Sequence, residues 1–277
     1  MIPALVTVPG GRLHVVDEGR RDHPPIVLLH AGITDLRAWD EMVPSLVDAG
    51  YRVVRYDARG FGASTTEDVE FSEHMDVIAV LDALGLARAA LVGNSRGGRI
   101  AFDTAIEFPE RVVAVVGVGA GLGGFDGDNT PEEIALFEQM EALENAEEPD
   151  ADAIADIDVR VWVDGPGQPE TRVPAAIRDK VRAMDAPNYA PGHVSGRRVP
   201  LEPPAVDRLA DLRCPVLAVA GSLDVSDAVR TARHLEAQAP DARAVFLPNV
   251  AHMIGMEVPD ELAALIVGFL APLPRWS

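Results

Sequence analysis

The chain has 277 residues, of which 48% are hydrophobic and 25% charged, so it can bury the core of one large domain or of a core with one insertion. Its formal net charge of −20 argues against nucleic acid and anionic membrane surfaces as partners. It also disfavours strongly anionic substrates, unless basic residues give the binding site a locally positive potential. The single cysteine, Cys214, excludes an intramolecular disulfide and is expected to be a buried structural thiol.

Neither a secretion signal nor a membrane span is predicted. Residues 1–6 lack a basic region followed by a long apolar stretch, and no apolar run approaches the roughly 18 residues of a transmembrane helix. We therefore expect a cytoplasmic protein that acts on a small molecule, without a nucleic-acid or membrane partner. A homo-oligomer is compatible with the sequence.

Apolar runs of strand length alternate with helix-length segments through the first 120 residues. Strands are predicted at 13–16, 26–29, 52–56, 89–92 and 112–118. A helix is predicted over 75–84, where apolar residues recur on one helical face. This alternation predicts an α/β fold with a mostly parallel central sheet flanked by helices on both faces.

The alternation stops near Gly121. Residues 122–200 are acidic and then rich in proline and glycine, and Pro131 suits the first turn of a helix predicted to reach Leu143. The alternation returns with strands at 215–220 and 244–247 and a helix at 262–270. We interpret 122–200 as a small helical insertion into a core formed by 1–121 and 201–277.

The most informative segment is Gly93-Asn94-Ser95-Arg96-Gly97, which follows the apolar run 89–92. A Gly-x-Ser-x-Gly segment between a buried strand and a helix places the serine on a sharp, strained turn with its hydroxyl exposed. The glycines allow the bend and the close packing that a Cβ would block. Ser95 is therefore the candidate nucleophile.

A serine hydroxyl needs a base, and the base needs an orienting acid. The seven histidines are His14, His23, His30, His74, His193, His234 and His252. His252 is the best candidate base, because it follows the strand that ends at Leu247, and loops after parallel strands converge on the ligand crevice. Asp224, after the preceding strand, is the first choice for the acid, with Asp227 as the alternative.

Acyl transfer also needs backbone donors for the oxyanion. One is expected to be the N–H of Arg96, directly after the nucleophile, and the other that of Gly32, with Ile33 as the alternative. His30 is expected to hold this loop by hydrogen bonds rather than to act as a second base. No cofactor is expected, and no cluster of histidine and cysteine has the spacing of a metal site.

These residues resemble the α/β-hydrolase superfamily, in particular its small-molecule esterases, lactonases and C–C hydrolases. The segment 28–32 with Trp39 is similar to the family's oxyanion loop, and 57–64 is similar to a structural turn beside its site. Ala251-His252 is similar to its catalytic-histidine segment. The resemblance implies that 122–200 is a cap domain, and that a serine nucleophile makes haloalkane dehalogenase and epoxide hydrolase chemistry unlikely.

The main hypothesis is a serine hydrolase that cleaves a small carboxylic ester or lactone through an acyl-enzyme. The alternatives are a C–C bond hydrolase of a dienoic keto acid and a non-catalytic ligand-binding protein on the same scaffold. The Arg96 side chain could attract a carboxylated substrate or pair with an acidic neighbour, and the acidic composition favours the ion pair.

Overall fold

Eleven strands are present in the computed structural model, which describes residues 2–276. The strands are β1 (Ile2–Val8), β2 (Gly11–Glu18), β3 (Pro25–Leu29), β4 (Arg52–Tyr56), β5 (Thr65–Thr66), β6 (Glu70–Phe71), β7 (Ala89–Asn94), β8 (Val112–Val118), β9 (Arg197–Arg198), β10 (Val216–Gly221) and β11 (Ala242–Leu247). The predicted apolar runs became strands because a parallel strand that is buried on both faces has a continuous apolar sequence.

Nine strands form one sheet, in the order β1-β2-β4-β3-β7-β8-β10-β11, with β5 paired to β2. β2 is antiparallel to β1, β4 and β5, whereas every neighbouring pair from β4 to β11 is parallel. β6 and β9 form a separate two-stranded sheet. The expected α/β fold with a mostly parallel sheet is confirmed.

Helices connect the parallel strands. They are α1 (Val43–Asp48), α2 (Glu73–Ala83), α3 (Arg96–Glu107), α4 (Pro131–Glu144), α5 (Ala151–Asp158), α6 (Ala175–Asp185), α7 (Ser226–Gln238), α8 (Ile254–Glu257) and α9 (Pro259–Leu270). Short 3-10 helices span Leu36–Trp39, Ala186–Tyr189 and Ala205–Asp211, and a π-helix spans Val159–Asp164. No helix within residues 2–276 is long and apolar enough to cross a membrane.

Two apolar cores lie on opposite faces of the sheet. One contains Leu81 of α2, Phe102 of α3 and Leu235 of α7. The other contains Leu46 of α1 and Ile266 of α9. All five side chains are fully buried, and burying each contributes about 1.5–3 kcal/mol. These helices hold the sheet rigid from both sides.

The carboxyl ends of five parallel strands carry the residues of interest. His30, Ser95 and Gly119 directly follow β3, β7 and β8, whereas Asp224 and His252 lie in the loops after β10 and β11. Because parallel strands end at one edge of a sheet, these residues meet there.

Segment 122–200, called the helical segment below, contains α4 to α6 and the π-helix. Its Val159 and Val181 pack with Ala31 and Met253 of the strand-end loops. The helical segment is therefore joined to the edge of the sheet where the candidate residues lie.

Candidate active site

Ser95 lies on a sharp turn between β7 and α3. Its backbone has φ 53° and ψ −117°, a conformation that costs a non-glycine residue about 1–3 kcal/mol. Its N–H donates to the Val118 carbonyl oxygen at 2.9 Å, so β8 fixes the turn. A Cβ at Gly93 would collide with the Gly97 carbonyl oxygen, and one at Gly97 with that of Leu29, which explains both glycines.

A cavity of about 430 Å³ adjoins Ser95. Its wall includes Ser95, Arg96, Gly32, Ile33 and His252, so the loops after β3, β7 and β11 meet at one space. This volume is ordinary for a small-molecule site. A Cβ built on Gly32 would meet nothing within 4 Å, so the loop after β3 is open at this position.

His30 holds the loop that follows β3, residues 30–33. Its Nδ1 lies 2.7 Å from the Ala31 carbonyl oxygen and its Nε2 lies 2.9 Å from the Ala58 nitrogen. Only the tautomer with a proton on Nδ1 satisfies both contacts. Burial and the charge of Arg96 lower the pKa of His30 to about 4, so the ring is neutral at pH 7.

His252 contacts Asp224 and not Asp227. Its Nδ1 lies 2.8 Å and 3.0 Å from the two carboxylate oxygens of Asp224. Both side chains are almost fully buried, which strengthens the attraction. Asp227 instead accepts the N–H of Gly127 at 2.7 Å and so holds the start of the helical segment.

Two strand-end residues allow this pair to form. Gly119 has φ +48°, and a Cβ there would lie 2.9 Å from Asp224 Oδ2 and 3.0 Å from His252 Nδ1. The Asn94 amide donates to the carbonyl oxygens of Val118 at 2.9 Å and His252 at 3.3 Å. Asn94 therefore ties the nucleophile strand to the histidine loop.

The helical segment supplies the rest of the cavity wall. Met140, Trp162 and Tyr189 line the cavity, and the Trp162 ring packs against His252 with centroids 4.7 Å apart. Such a contact excludes water from one side of the imidazole.

A partly buried ion pair joins the helical segment to α8, which follows the loop of His252. Both terminal nitrogens of Arg172 bind the Glu257 carboxylate, at 2.5 Å and 2.9 Å. Arg172 Nε also donates to the Asp164 carbonyl oxygen at 2.5 Å. Glu257 in turn accepts the N–H of Ala251 at 3.0 Å, next to His252. A change in the helical segment can therefore reach the histidine through this pair.

The ion pair expected for Arg96 is present. Arg96 Nε donates to Glu73 Oε1 at 2.7 Å, and its guanidinium lies over the Phe61 ring at 4.3 Å. Arg99 also binds Glu73, and Arg198 Nε lies 4.0 Å from it. Burial would raise the pKa of Glu73, but the charges of Arg96 and Arg99 lower it to about 2, so this carboxylate is ionised.

Three carboxyl groups lie close together in the helical segment. Tyr189 Oη lies 3.2 Å from Glu144 Oε1 and 3.2 Å from Asp158 Oδ2, and both carboxyl residues line the cavity. Burial and the neighbouring Asp158 raise the pKa of Asp185 to about 9, so Asp185 is protonated at pH 7. We call Glu144, Asp158 and Asp185 the acidic wall.

The sheet order and the sharp turn at Ser95 define an α/β-hydrolase fold, and the chain belongs to this family, because the model of the alpha/beta hydrolase fold family matches residues 24–259. Rhodomycin D methylesterase DnrP of Streptomyces peucetius is 30% identical over 269 residues, which cover 87% of this chain and 89% of that protein.

A shorter match joins the chain to epoxide hydrolase B of Mycobacterium tuberculosis, at 35% identity over 122 residues that cover 42% of this chain and about a third (34%) of that protein. The enol-lactonase from Burkholderia xenovorans LB400 superposes with a TM-score of 0.76 at 25% identity, covering 97% of this chain and 100% of that one. These relatives indicate a hydrolase.

The structure brings together Ser95, Arg96, Gly32 and His252 at one cavity, with Asp224 behind the histidine. The sequence did not predict several residues that line the cavity or support its wall. Among them are Phe61, Glu73, Asn94, Gly119, Trp162, Arg172 and Arg198. Asn94 and Phe61 carried a usable signal, since Asn94 lies inside the segment 93–97 and Phe61 inside 57–64.

Proposed function

We propose that this chain is a serine hydrolase that cleaves a small carboxylic ester or lactone through an acyl-enzyme. The observation that carries the proposal is the buried contact between Asp224 and His252 Nδ1, at a cavity that Ser95 also lines. The full-length similarity to a methylesterase supports an ester substrate.

In the first step, Ser95 Oγ attacks the carbonyl carbon while His252 Nε2 takes the hydroxyl proton. The Asp224 carboxylate accepts the Nδ1 proton of His252 and thereby fixes the tautomer that leaves Nε2 free to act as base. The same carboxylate stabilises the imidazolium that forms. Nearly complete burial of the pair keeps this attraction strong.

The carbonyl oxygen becomes an oxyanion, which needs donors already in place. We assign the N–H of Arg96, at the start of α3, and the N–H of Gly32, with Ile33 as the alternative. The neutral His30 supports this role, because its two hydrogen bonds fix the loop before Gly32.

In the second step, the tetrahedral intermediate collapses and the alkoxide leaves with the proton from His252. For a lactone this hydroxyl stays attached to the acyl group. Water then attacks the acyl-enzyme, His252 takes its proton, and a second collapse releases the acid and returns the proton to Ser95 Oγ.

We further propose that the helical segment is a cap that covers the site and selects the substrate. Met140, Trp162 and Tyr189 in the cavity wall support this role. The core residues would then carry the chemistry, and the cap would decide which acyl and alcohol groups enter.

The first test is turnover of p-nitrophenyl acetate. Ser95→Ala is expected to lower kcat by about a thousandfold or more, because it removes the attacking oxygen. Ser45→Ala, in the distant helix α1, is the matched control and is expected to keep wild-type turnover. Undiminished turnover by a folded Ser95→Ala variant would contradict the proposal.

C–C hydrolysis of a dienoic keto acid is the second candidate. The guanidinium groups of Arg96 and Arg198 in the cavity wall favour it, because such a substrate carries a carboxylate. Loss of the visible absorbance of a ring-fission product, compared with p-nitrophenyl acetate turnover by the same sample, separates the two activities.

A further inference from the structure

We propose that the substrate carries a carboxylate that binds at Arg96 and Arg198, away from the acidic wall. The inference rests on the proposed ester or lactone hydrolysis and names its substrate class. It is carried by the guanidinium cluster, which we define as Arg96, Arg99 and Arg198 around the carboxylate of Glu73.

Positive charge exceeds negative charge in this cluster. Within residues 2–276, three guanidinium groups lie within 4.0 Å of the ionised carboxylate of Glu73, and Arg99 also contacts Asp103 at 3.4 Å. Arg198 is the most weakly paired, since its Nε lies 4.0 Å from Glu73. The side chain of Arg198 is 43% exposed, and partial burial and repulsion from Arg96 lower its pKa, as expected for a cation that lacks a full partner.

Arg96 has donor capacity that its protein contacts do not use. Its side chain is 9% exposed, bound to Glu73 on one side and stacked on Phe61. Within residues 2–276, its Nη1 is buried and has no hydrogen-bond partner. Buried donors without partners are rare because each costs about 1–3 kcal/mol. A substrate carboxylate beside this guanidinium would supply the missing acceptor after a small side-chain adjustment.

Both arginines line the cavity that Ser95 lines, and Arg96 is the next residue after the nucleophile. An ester whose carboxylate binds here would therefore keep its carbonyl within reach of Ser95 Oγ. The planar guanidinium matches a carboxylate geometrically, and charge-assisted hydrogen bonds of this kind are about twice as strong as neutral ones.

The acidic wall orients the substrate. Glu144 and Asp158 line the same cavity, and the Tyr189 hydroxyl contacts both carboxyl groups. Among the described residues, no ion pair joins Arg96 or Arg198 to these carboxyl groups. A substrate carboxylate would be repelled from the acidic wall and attracted to the guanidinium cluster.

The test uses three methyl esters with the same three-carbon spacer. They are methyl hydrogen glutarate, which is anionic, methyl pentanoate, which is neutral, and methyl 4-(trimethylammonio)butanoate, which is cationic. Wild-type kcat/KM is expected to be about tenfold or more higher for the anionic than for the neutral ester, and lowest for the cationic one.

Arg198→Gln is expected to lower the ratio of anionic to neutral kcat/KM about tenfold. Arg197→Gln is the matched control, because Arg197 is the other residue of β9, is exposed and binds Asp68. It is expected to keep the wild-type ratio. Equal rates for the anionic and neutral esters, or an unchanged ratio in Arg198→Gln, would overturn the inference and leave the proposed hydrolase intact.

Binding to the Ser95→Ala variant separates this inference from the proposed function. If the wild-type protein hydrolyses none of these three esters, ligand-observed NMR still measures their dissociation constants, and the hydrolase proposal is decided separately by turnover of p-nitrophenyl acetate. The anionic ester is expected to bind about tenfold more tightly than the neutral one, and Arg198→Gln in the same background to remove the difference. Equal binding would overturn the carboxylate site.

Discussion

The core half of the cavity, with Ser95 and His252, follows the ends of buried parallel strands, whereas the other half, with Asp158 and Trp162, lies on helices of the helical segment. The backbone fixes the core half, through a strained turn and through glycines where a Cβ would collide. Side-chain packing and ion pairs hold the second half. The positions of Ser95 and His252 therefore depend mainly on local backbone geometry, whereas the opposite wall depends on side-chain contacts between distant segments.

The largest expected loss of activity comes from a substitution of Asp224 in the core half. Asp224→Asn is expected to lower kcat about 10³–10⁴-fold, because an amide no longer favours the His252 tautomer and cation that the reaction needs. Asp227→Asn is the matched control and is expected to stay within about threefold of wild type, since Asp227 binds Gly127. Steady-state kinetics with p-nitrophenyl acetate measures both, and equal losses would contradict the assignment.

The second largest effect is expected at the ion pair between Arg172 and Glu257, which joins the two halves. Arg172→Gln leaves the buried Glu257 without its partner and is expected to destabilise the protein by about 3 kcal/mol. It is also expected to lower kcat, because Glu257 holds the N–H of Ala251 beside His252. Urea unfolding measures the stability change. Arg160→Gln, exposed on the same segment, is the control, and equal stability of the two variants would exclude this role for Arg172.

The smallest expected effect concerns the acidic wall and depends on pH. Burial and Asp158 raise the pKa of Asp185 to about 9, so the folded chain binds a proton that the unfolded chain releases above about pH 4. This contribution to stability is complete below about pH 4 and is lost as pH rises towards 9. The loss is at most about 1.4 kcal/mol per pH unit.

Asp185→Asn removes this titration. The variant is expected to gain stability relative to wild type between about pH 6 and pH 8, in thermal melts at both values. Asp179→Asn, on the exposed face of the same helix, is expected to show no such trend. A parallel pH dependence of wild type and Asp185→Asn would show that Asp185 does not carry the proton.

The candidate residues of the core half could be predicted from the sequence, because short apolar runs mark the strands that precede them. Apolar runs mark β7, β10 and β11; Ser95 directly follows β7, and Asp224 and His252 lie in the loops after β10 and β11. The antiparallel β1 was missed, since Leu5 is exposed and residues 4–8 alternate in burial instead of forming a continuous buried run.

The helical segment could be predicted only as helical, not in its contacts. The partners Arg172 and Glu257 are 85 residues apart, and Arg96 and Glu73 are 23 apart. Charged residues are frequent in this chain, so the sequence around each residue does not indicate which charged residues form pairs. Trp162 reaches His252 from a π-helix, for which the sequence shows no periodic signal. Such contacts depend on how distant segments pack.

The most direct test of the account is labelling with a fluorophosphonate, followed by peptide mass spectrometry. Such probes react with a serine that an adjacent base activates. We predict a single adduct on Ser95, absent in Ser95→Ala and strongly slowed in Asp224→Asn. No adduct, or an adduct on another serine such as Ser195 in the same cavity, would contradict a nucleophilic Ser95.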